Sequence, residues 1–199
     1  MTIRAVVFDI GGVLEIVDDD SWQDAWIARW ESRVGRPPGT TAAAAPRTDR
    51  TERGMREWLA RVLELSDADA DAIMADFWGS YCGELDVVMR DFVIELSSSL
   101  VVATLSNSGA GARREEDRRF GFSCLFDHMV YSDEIGMEKP HPEIYAHTQQ
   151  LIGVAAHEIV FIDDRETAVV AAREAGWKAV VHVSTTESIA AVRAIIATE

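Results

Sequence analysis

The sequence predicts an α/β protein with a doubly wound parallel sheet and a small α-helical segment inserted after the first strand. Two observations indicate this class. From residue 86 onwards, short β-branched runs alternate with helix-like segments, as in a parallel sheet with right-handed crossovers. Before that alternation, roughly residues 16–86 show helical periodicity and no convincing strand. We therefore expect a core domain of residues 1–15 and 87–199 and a helical domain of residues 16–86.

The first predicted strand, Ile3–Ile10, contains the apolar run Val6–Phe8, which ends at the acid Asp9, and Gly11 and Gly12 follow the strand. Asp9 would thus lie at the carboxyl end of a buried strand, where open α/β sheets bind their ligands. A bare carboxylate is costly there unless a cation or a hydrogen-bond donor compensates its charge. Taken alone, Asp9 is equally well explained as a cap of the following turn.

The inserted segment begins with the polar stretch Asp18–Ser21, which can cap a helix that starts at Trp22. Trp22, Trp26 and Trp30 then recur at helical spacing. This spacing indicates a buried helix face rather than a surface on which a ligand stacks.

The other elements follow from apolar periodicity, β-branched runs and the residues at their ends. Pro142 at the first position of one helix and Gly176 just after another are such end signals. In chain order, we predict a loop over 35–50, helices over 51–65, 67–81 and 87–98, a strand over 100–105, a charged and exposed helix over 113–120, a strand over 128–132, a helix over 142–152, a strand over 159–162, a helix over 167–175, a strand over 178–183 and a helix over 186–197.

The composition limits the classes of partner. The 199 residues include 34 acids and 19 bases, and the formal net charge is -15. Nucleic acids and anionic membranes favour a basic surface, so we expect neither as a partner. A phosphorylated small molecule remains compatible with this charge, because a bound metal ion can invert the local field of a site.

Cysteine usage and the N-terminal sequence indicate the compartment. Cys82 and Cys124 have no metal-ligand spacing and do not suggest a disulfide framework. The chain starts directly with a strand-like segment and shows no signal peptide. No apolar run approaches the roughly 20 residues that span a bilayer. We therefore expect a protein of the reducing cytoplasm.

Polar groups follow several predicted strands at their carboxyl ends. They are Asp9, Ser106 with Asn107, Lys139, and Asp163 with Asp164. Because the carboxyl ends of parallel strands lie on one edge of the sheet, these groups should surround one crevice. Each has a structural explanation when taken singly, as a turn former, a surface charge or a helix cap.

Three carboxylates, a hydroxyl and an ammonium suit the transfer of a phosphoryl group. Carboxylates this close repel one another and require a divalent cation, and oxygen-only ligands favour Mg²⁺. Lys139 would help to neutralise the transferring group, and Ser106 would bind its oxygens. Asp9 would act as the nucleophile and form an aspartyl-phosphate that water later hydrolyses.

The motifs resemble those of the haloacid dehalogenase (HAD) superfamily of aspartate-nucleophile hydrolases. Residues 8–13, with sequence FDIGGV, resemble the first family motif, and residues 105–107, LSN, resemble the second. Lys139-Pro140 resembles the third motif and residues 161–164, FIDD, the fourth. The four motifs occur in the family's order. The resemblance implies a Rossmann-like core, and it implies that residues 16–86 are the small helical cap inserted between the first two motifs.

The resemblance also implies a role for each matching residue. Asp9 corresponds to the nucleophile and a Mg²⁺ ligand, and Gly11 to the position whose backbone carbonyl also binds the metal. Asp163 and Asp164 correspond to the acidic metal ligands. Ser106 and Lys139 correspond to the residues that bind the phosphate. Asn107, beside Ser106, could supply another donor to the substrate.

One position departs from the usual phosphatase pattern. Most phosphatases of the superfamily have a second Asp two residues after the nucleophile, which protonates the leaving group, and here that position is Gly11. General acid–base help is worth roughly 10²–10⁴-fold in rate, so its loss matters. In one interpretation, the chain resembles the sugar-phosphate phosphatases with an Asp-x-Gly motif. Another acid would then protonate the leaving group, or the leaving group would need little protonation. Glu15 and Asp18 are candidate acids, although each is more simply explained as a solvated loop acid.

Two further interpretations stay open. A 2-haloacid dehalogenase also lacks the second Asp, because halide needs no proton, but it works without a metal, and the pair Asp163-Asp164 weighs against it. The second open interpretation is a catalytically weak or inactive binding protein, but the presence of Asp9 and Lys139 weighs against it.

Substrate choice is expected to lie in the cap. Most of its large apolar residues should pack the cap itself, and its arginines are candidates to bind a second anionic group. The apolar residues are Trp22, Trp26, Trp30, Trp58, Phe77 and Trp78, and the arginines are Arg29, Arg33 and Arg56.

Overall fold

The computed structural model describes residues 2–16, 22–43 and 51–198, and among these the side chains of residues 42 and 43 are left undescribed. The predicted helix cap Asp18–Ser21 and the candidate acid Asp18 lie outside the described residues. No helix in the part of the chain that the structure describes is long and apolar enough to span a membrane.

The chain divides into two compact units. The core unit comprises Met1–Ile16, Glu84–Ser108 and Glu116–Glu199, and the helical unit comprises Val17–Gly83 and Gly109–Glu115. The predicted domains, 1–15 with 87–199 and 16–86, remain a prediction. The compact units differ from them mainly in that residues 109–115 group with the helical unit.

The described residues form strands and helices in the alternation that the sequence predicts. The strands are β1 (Ala5–Phe8), β2 (Glu15–Ile16), β3 (Glu84–Leu85), β4 (Val101–Ser106), β5 (His128–Tyr131), β6 (Ile159–Asp163) and β7 (Lys178–Val181). The helices are α1 (Trp22–Arg33), α2 (Thr40–Ala43), α3 (Glu52–Val62), α4 (Asp67–Tyr81), α5 (Val87–Ser97), α6 (Ala112–Phe120), α7 (Ser132–Ile135), α8 (Pro142–Ile152), α9 (Glu166–Glu174) and α10 (Thr185–Ala197).

A parallel five-stranded sheet forms the centre of the core unit, in the order β5-β4-β1-β6-β7. β1 is apolar and fully buried, as expected for a central strand covered on both faces. Phe8 pairs with Thr104 of β4 and with Ile162 of β6. This register brings the carboxyl ends of the three central strands side by side. The predicted α/β class with a parallel sheet is confirmed.

Three short elements contradict the prediction that residues 16–86 contain no strand and that residues 35–50 form a loop. β2 and β3 pair antiparallel, with Glu15 opposite Leu85, where the chain leaves the core unit and returns to it. α2 lies within the predicted loop. Strands of two residues and a helix of four carry too few residues for a hydrophobic period to show in the sequence.

The helical unit has its own apolar core. Trp26 and Trp30 of α1 are buried there with Leu59 of α3 and Ile73 of α4. The predicted buried tryptophan face of this helix is thus confirmed for these two residues. α4 has the predicted bounds because Ser66 caps it, accepting a hydrogen bond from the Asp69 N–H.

Candidate active site

Asp9 follows the last residue of β1, at the entrance to a tight turn. Its Oδ1 accepts a hydrogen bond from the Ile10 N–H at 2.8 Å, and its side chain is buried. The turn closes with hydrogen bonds from the Leu14 and Glu15 N–H groups to the Ile10 carbonyl. Gly12 has a φ of 78°, which glycine adopts without strain. The turn therefore fixes Asp9 at the carboxyl edge of the sheet.

Lys139 lies between α7 and α8 and reaches two carboxylates. Its Nζ is 2.8 Å from Asp9 Oδ1 and 2.6 Å from Asp163 Oδ2. Asp163, the last residue of β6, is fully buried, and its Oδ1 also accepts from the Arg165 N–H at 2.8 Å. Buried charges need partners of this kind, since an unpaired ion in the interior is strongly unfavourable. The structure thus brings three of the predicted site residues into direct contact.

Asp164 completes a group of carboxylates. One oxygen each from Asp9, Asp163 and Asp164 lies within 4.8 Å of the others. When ionised, these three carboxylates outnumber the buried positive charge of Lys139, and among the described residues the exposed Arg165 also acts on Asp164. The group therefore carries an excess of negative charge. Closely spaced carboxylate oxygens are the ligands that Mg²⁺ prefers. The donor set of this edge therefore fits a divalent cation of that type.

The electrostatics of the group are consistent with this deficit of positive charge. Burial raises the pKa of Asp9 to about 7, against the opposing charge of Lys139 and with a further contribution from Asp163. Partial desolvation and the charge of Asp163 also raise the pKa of Asp164. A positive charge at the group would favour the ionised carboxylates and lower both pKa values.

The two glycines after Asp9 have different surroundings. A Cβ on Gly11 would have no heavy atom within 4 Å, whereas a Cβ on Gly12 would lie 2.7 Å from Asp164 Oδ2. Gly12 thus allows the Asp164 carboxylate to approach the turn closely. Gly11 leaves open the space in which the second Asp of other family members would begin.

The remaining predicted substrate-binding residues lie at the end of β4. Ser106 is the last residue of this strand and is buried. Asn107 follows it, and its side-chain amide forms two hydrogen bonds with the backbone of Lys139. The register of the sheet therefore places Ser106, Asn107 and Lys139 on the same edge as Asp9, and their roles toward a substrate remain predictions.

Glu15 is not the solvated loop acid that its position in the sequence favours. It is 1% exposed, and its Oε1 has no hydrogen-bond partner among the residues described. Burial raises the pKa of Glu15 to about 10, with contributions from the charges of Glu116 and Asp9 and against that of Arg119. The side chain is therefore a protonated, buried carboxyl at neutral pH.

The prediction of an exposed helix over 113–120 is wrong for Glu116 on α6. The residue is 1% exposed, and its carboxylate accepts a hydrogen bond from the Tyr131 hydroxyl. The sequence gives no signal for this burial because acids and bases fill every turn of the helix.

The three arginines considered for a second anionic group are paired within the helical unit. Arg29 contacts Asp76, Arg33 contacts Asp69, and Arg56 contacts Asp71 and Asp67. These contacts give each guanidinium a structural partner.

The chain is similar in sequence to known phosphatases. A sesquiterpene phosphatase, astK, of Aspergillus oryzae is 26% identical over 182 residues, which cover 88% of this chain and 87% of that protein. A glyceraldehyde 3-phosphate phosphatase of Methanopyrus kandleri is 40% identical over 47 residues, which cover 24% of this chain and only 20% of that protein.

Solved structures show the same fold. A HAD family enzyme of Bacteroides thetaiotaomicron, in complex with magnesium and inorganic phosphate, has a TM-score of 0.70 and 21% identity, covering 90% of this chain and 93% of that one. A 2-haloacid dehalogenase of Pseudomonas syringae has a TM-score of 0.68 and 20% identity, covering 91% of this chain and 86% of that one.

The sequence itself carries the family's pattern along most of its length. The haloacid dehalogenase-like hydrolase profile matches residues 3–176, which include the carboxylates of the candidate site and Lys139. The predicted family resemblance is confirmed, and the chain belongs to the haloacid dehalogenase-like hydrolases.

Proposed function

We propose that this hydrolase is a Mg²⁺-dependent phosphatase that acts on a small phosphorylated metabolite, with Asp9 as the nucleophile. The observation that carries the proposal is the cluster of Asp9, Asp163 and Asp164 around Lys139, with an excess of negative charge. A dehalogenase that works without a metal has no need of such an excess. The two relatives compared above are also named phosphatases.

The residues at this edge of the sheet have different roles in the proposed phosphoryl transfer. The Asp9 carboxylate attacks phosphorus while the bond from phosphorus to the leaving oxygen breaks, which yields an aspartyl-phosphate. Water then attacks the same phosphorus and releases inorganic phosphate and free Asp9. Lys139 and Ser106 hold the oxygens of the transferring group.

Asp9, Asp163, Asp164 and the Gly11 carbonyl would hold the Mg²⁺ ion. When bound, the ion supplies positive charge beside the phosphoryl oxygens. The leaving oxygen needs a proton that Gly11 cannot give. Glu15 is protonated, but its carboxyl is buried with Glu116, so we propose that the preferred substrate has a leaving group that needs little protonation.

The proposal is tested by phosphate release from a panel of small phosphate monoesters, with Mg²⁺ and with EDTA. We expect turnover only with the metal, and we expect Asp9→Asn to lower kcat by about 10³-fold or more. Asp91→Asn, at an exposed position of α5, is the matched control and should keep full activity. Full activity of Asp9→Asn, or no activity across the panel, contradicts the proposal.

A 2-haloacid dehalogenase is the second candidate, because Gly11 removes an acid that halide release does not require. It predicts halide release from 2-haloacids that persists in EDTA. A binding protein without turnover would be inactive in both assays.

A further inference from the structure

Asn107 holds Lys139 by its backbone. The Asn107 Nδ2 donates to the Lys139 carbonyl oxygen at 2.8 Å, and the Asn107 Oδ1 accepts from the Lys139 N–H at 2.8 Å. Both bonds come from one planar amide, which matches a donor and an acceptor on the same residue. Together they fix the position and the orientation of the Lys139 backbone against the end of β4.

Lys139 depends on such a constraint. It belongs to no helix or strand, since α7 ends at Ile135 and α8 begins at Pro142. Its ammonium nevertheless makes two short contacts, to Asp9 and Asp163, at the end of a flexible four-carbon side chain. A displaced backbone would move the whole side chain, and the small separation of the two carboxylates leaves little tolerance.

We propose that Asn107 is a positioning residue that acts through Lys139 rather than a group that binds the substrate. Its Nδ2 and its Oδ1 each form a hydrogen bond with the Lys139 backbone, so the position of this side chain has an explanation that needs no ligand. The importance of this role for catalysis rests on the proposed function, in which Lys139 holds the transferring phosphoryl group.

Ser108 offers a matched control on the same loop. Its N–H donates to Ser132 Oγ at 2.9 Å, and its hydroxyl donates to Asp133 Oδ1 at 2.6 Å. Ser108→Ala removes the hydrogen bond from this hydroxyl to Asp133 of α7 and keeps both bonds to Lys139. The comparison of Asn107→Ala with Ser108→Ala therefore separates positioning of Lys139 from general cohesion of the segment after β4 with α7.

The chain contains two lysines, Lys139 and Lys178, so amine labelling reports on Lys139 with an internal reference. Trace acetylation of the full chain, quantified by peptide mass spectrometry, gives the ratio of label at Lys139 to label at Lys178. In the parent protein the buried, paired Lys139 amine should be strongly protected. We expect Asn107→Ala to raise the ratio about tenfold or more, as for other side chains that orient a functional group, and Ser108→Ala to leave it within about twofold.

Asn107→Asp provides a second variant of equal size, with circular dichroism as the check on folding. It keeps the acceptor for the Lys139 N–H but turns a carboxylate oxygen toward the Lys139 carbonyl, so the ratio should also rise. An unchanged ratio in a folded Asn107 variant overturns the proposal. An equal rise in Ser108→Ala also overturns it, because loss of any contact of the segment after β4 would then expose Lys139.

Kinetics distinguish this inference from the proposed function. Asn107→Ala should lower kcat/KM in the parent protein but add little in a Lys139→Met background, because the two residues act as one unit. A rise in KM that persists in that background would show direct contact with the substrate and overturn the inference. If the parent protein hydrolyses no phosphate ester, the proposed function fails, whereas the labelling ratio still decides the role of Asn107.

Discussion

Gly11 and Gly12 are adjacent, yet the structure gives them opposite tolerance to a side chain. Gly11 has open space around its Cβ position and no positive φ. Gly12 has a φ of 78° and the Asp164 carboxylate 2.7 Å from its Cβ position. Gly11 therefore leaves the site without the carboxyl that an Asp would supply. Gly12 is required by its positive φ and by the nearby Asp164 carboxylate.

Gly11→Asp should raise the rate on substrates with poor leaving groups. A carboxyl there would supply the missing acid, and general acid catalysis contributes about 10²–10⁴-fold. The measurement is kcat for an alkyl and an aryl phosphate ester, and the gain should be larger for the alkyl ester. Gly12→Asp, the matched control, should lose activity through strain and repulsion of Asp164. An unchanged alkyl rate in a Gly11→Asp variant that still binds Mg²⁺ would refute this expectation.

Glu15→Gln should stabilise the core unit, and more so at higher pH. A carboxyl whose pKa is raised from 4.5 to about 10 on folding stabilises least when the pH lies well above 4.5, since the unfolded chain then gains by ionising. Gln cannot ionise in either state, so this dependence disappears. We expect the free energy of unfolding to rise by on the order of 1–3 kcal/mol at pH 8 and almost not at all at pH 4. Urea unfolding at both pH values measures it, with exposed Glu174→Gln as the control. A gain independent of pH would contradict the raised pKa.

The residues at strand ends could be predicted from the sequence, and the buried acids could not. Asp9 and Asp163 close apolar runs, so their position at the sheet edge follows from the run itself. Glu15 pairs with Leu85 of β3, and Glu116 accepts a hydrogen bond from Tyr131 of β5, so tertiary contacts surround both acids. A local pattern carries no information on such contacts.

Asp86 caps α5 and also contacts the first residue of α10. Its Oδ1 accepts from the Val88 and Met89 N–H groups at the start of α5, and its other oxygen accepts from the Thr185 hydroxyl. Asp86→Ala should therefore lower the free energy of unfolding by about 1–2 kcal/mol. Ser184→Ala, which removes the side-chain cap of α10, should cost less, about 0.5 kcal/mol. Equal losses in urea unfolding would show that the extra contact contributes nothing.

Long elements with marked ends were predictable, and short ones were not. α4 and α8 have the predicted bounds because Ser66 and Pro142 mark their starts. β2, β3 and α7 contain two to four residues, so tertiary pairing rather than periodicity determines them.

At the scale of the whole molecule, the parallel sheet converts four separate motifs into one site. The order β4-β1-β6 places the strand that ends in Ser106 and the strand that ends in Asp163 on either side of the strand before Asp9. The alternation of strands and helices predicts a common edge, but it does not give the strand order or the contacts of Lys139. Those follow from the fold.

Mg²⁺ should stabilise the protein, and more at pH 8 than at pH 6. Burial raises the pKa of Asp9 to about 7. Protons therefore compete with the metal below that pH, whereas above it the carboxylate is ionised and can bind the metal. Binding to the folded state alone raises Tm with metal concentration. Thermal unfolding at both pH values, with Asp164→Asn expected to lose the shift, is the measurement. A shift that is larger at pH 6 would contradict this account.

The central claim, that Asp9 is phosphorylated during turnover, is tested most directly by acid quenching followed by mass spectrometry of the peptide that contains Asp9. With Mg²⁺ and a phosphate ester that the protein hydrolyses, we predict a phosphoryl group on Asp9 that appears during turnover and disappears when substrate is exhausted. Turnover in H₂¹⁸O should place the heavy oxygen in phosphate and not in Asp9. Active turnover without phosphoryl on this peptide, or ¹⁸O in the Asp9 carboxylate, would contradict the account.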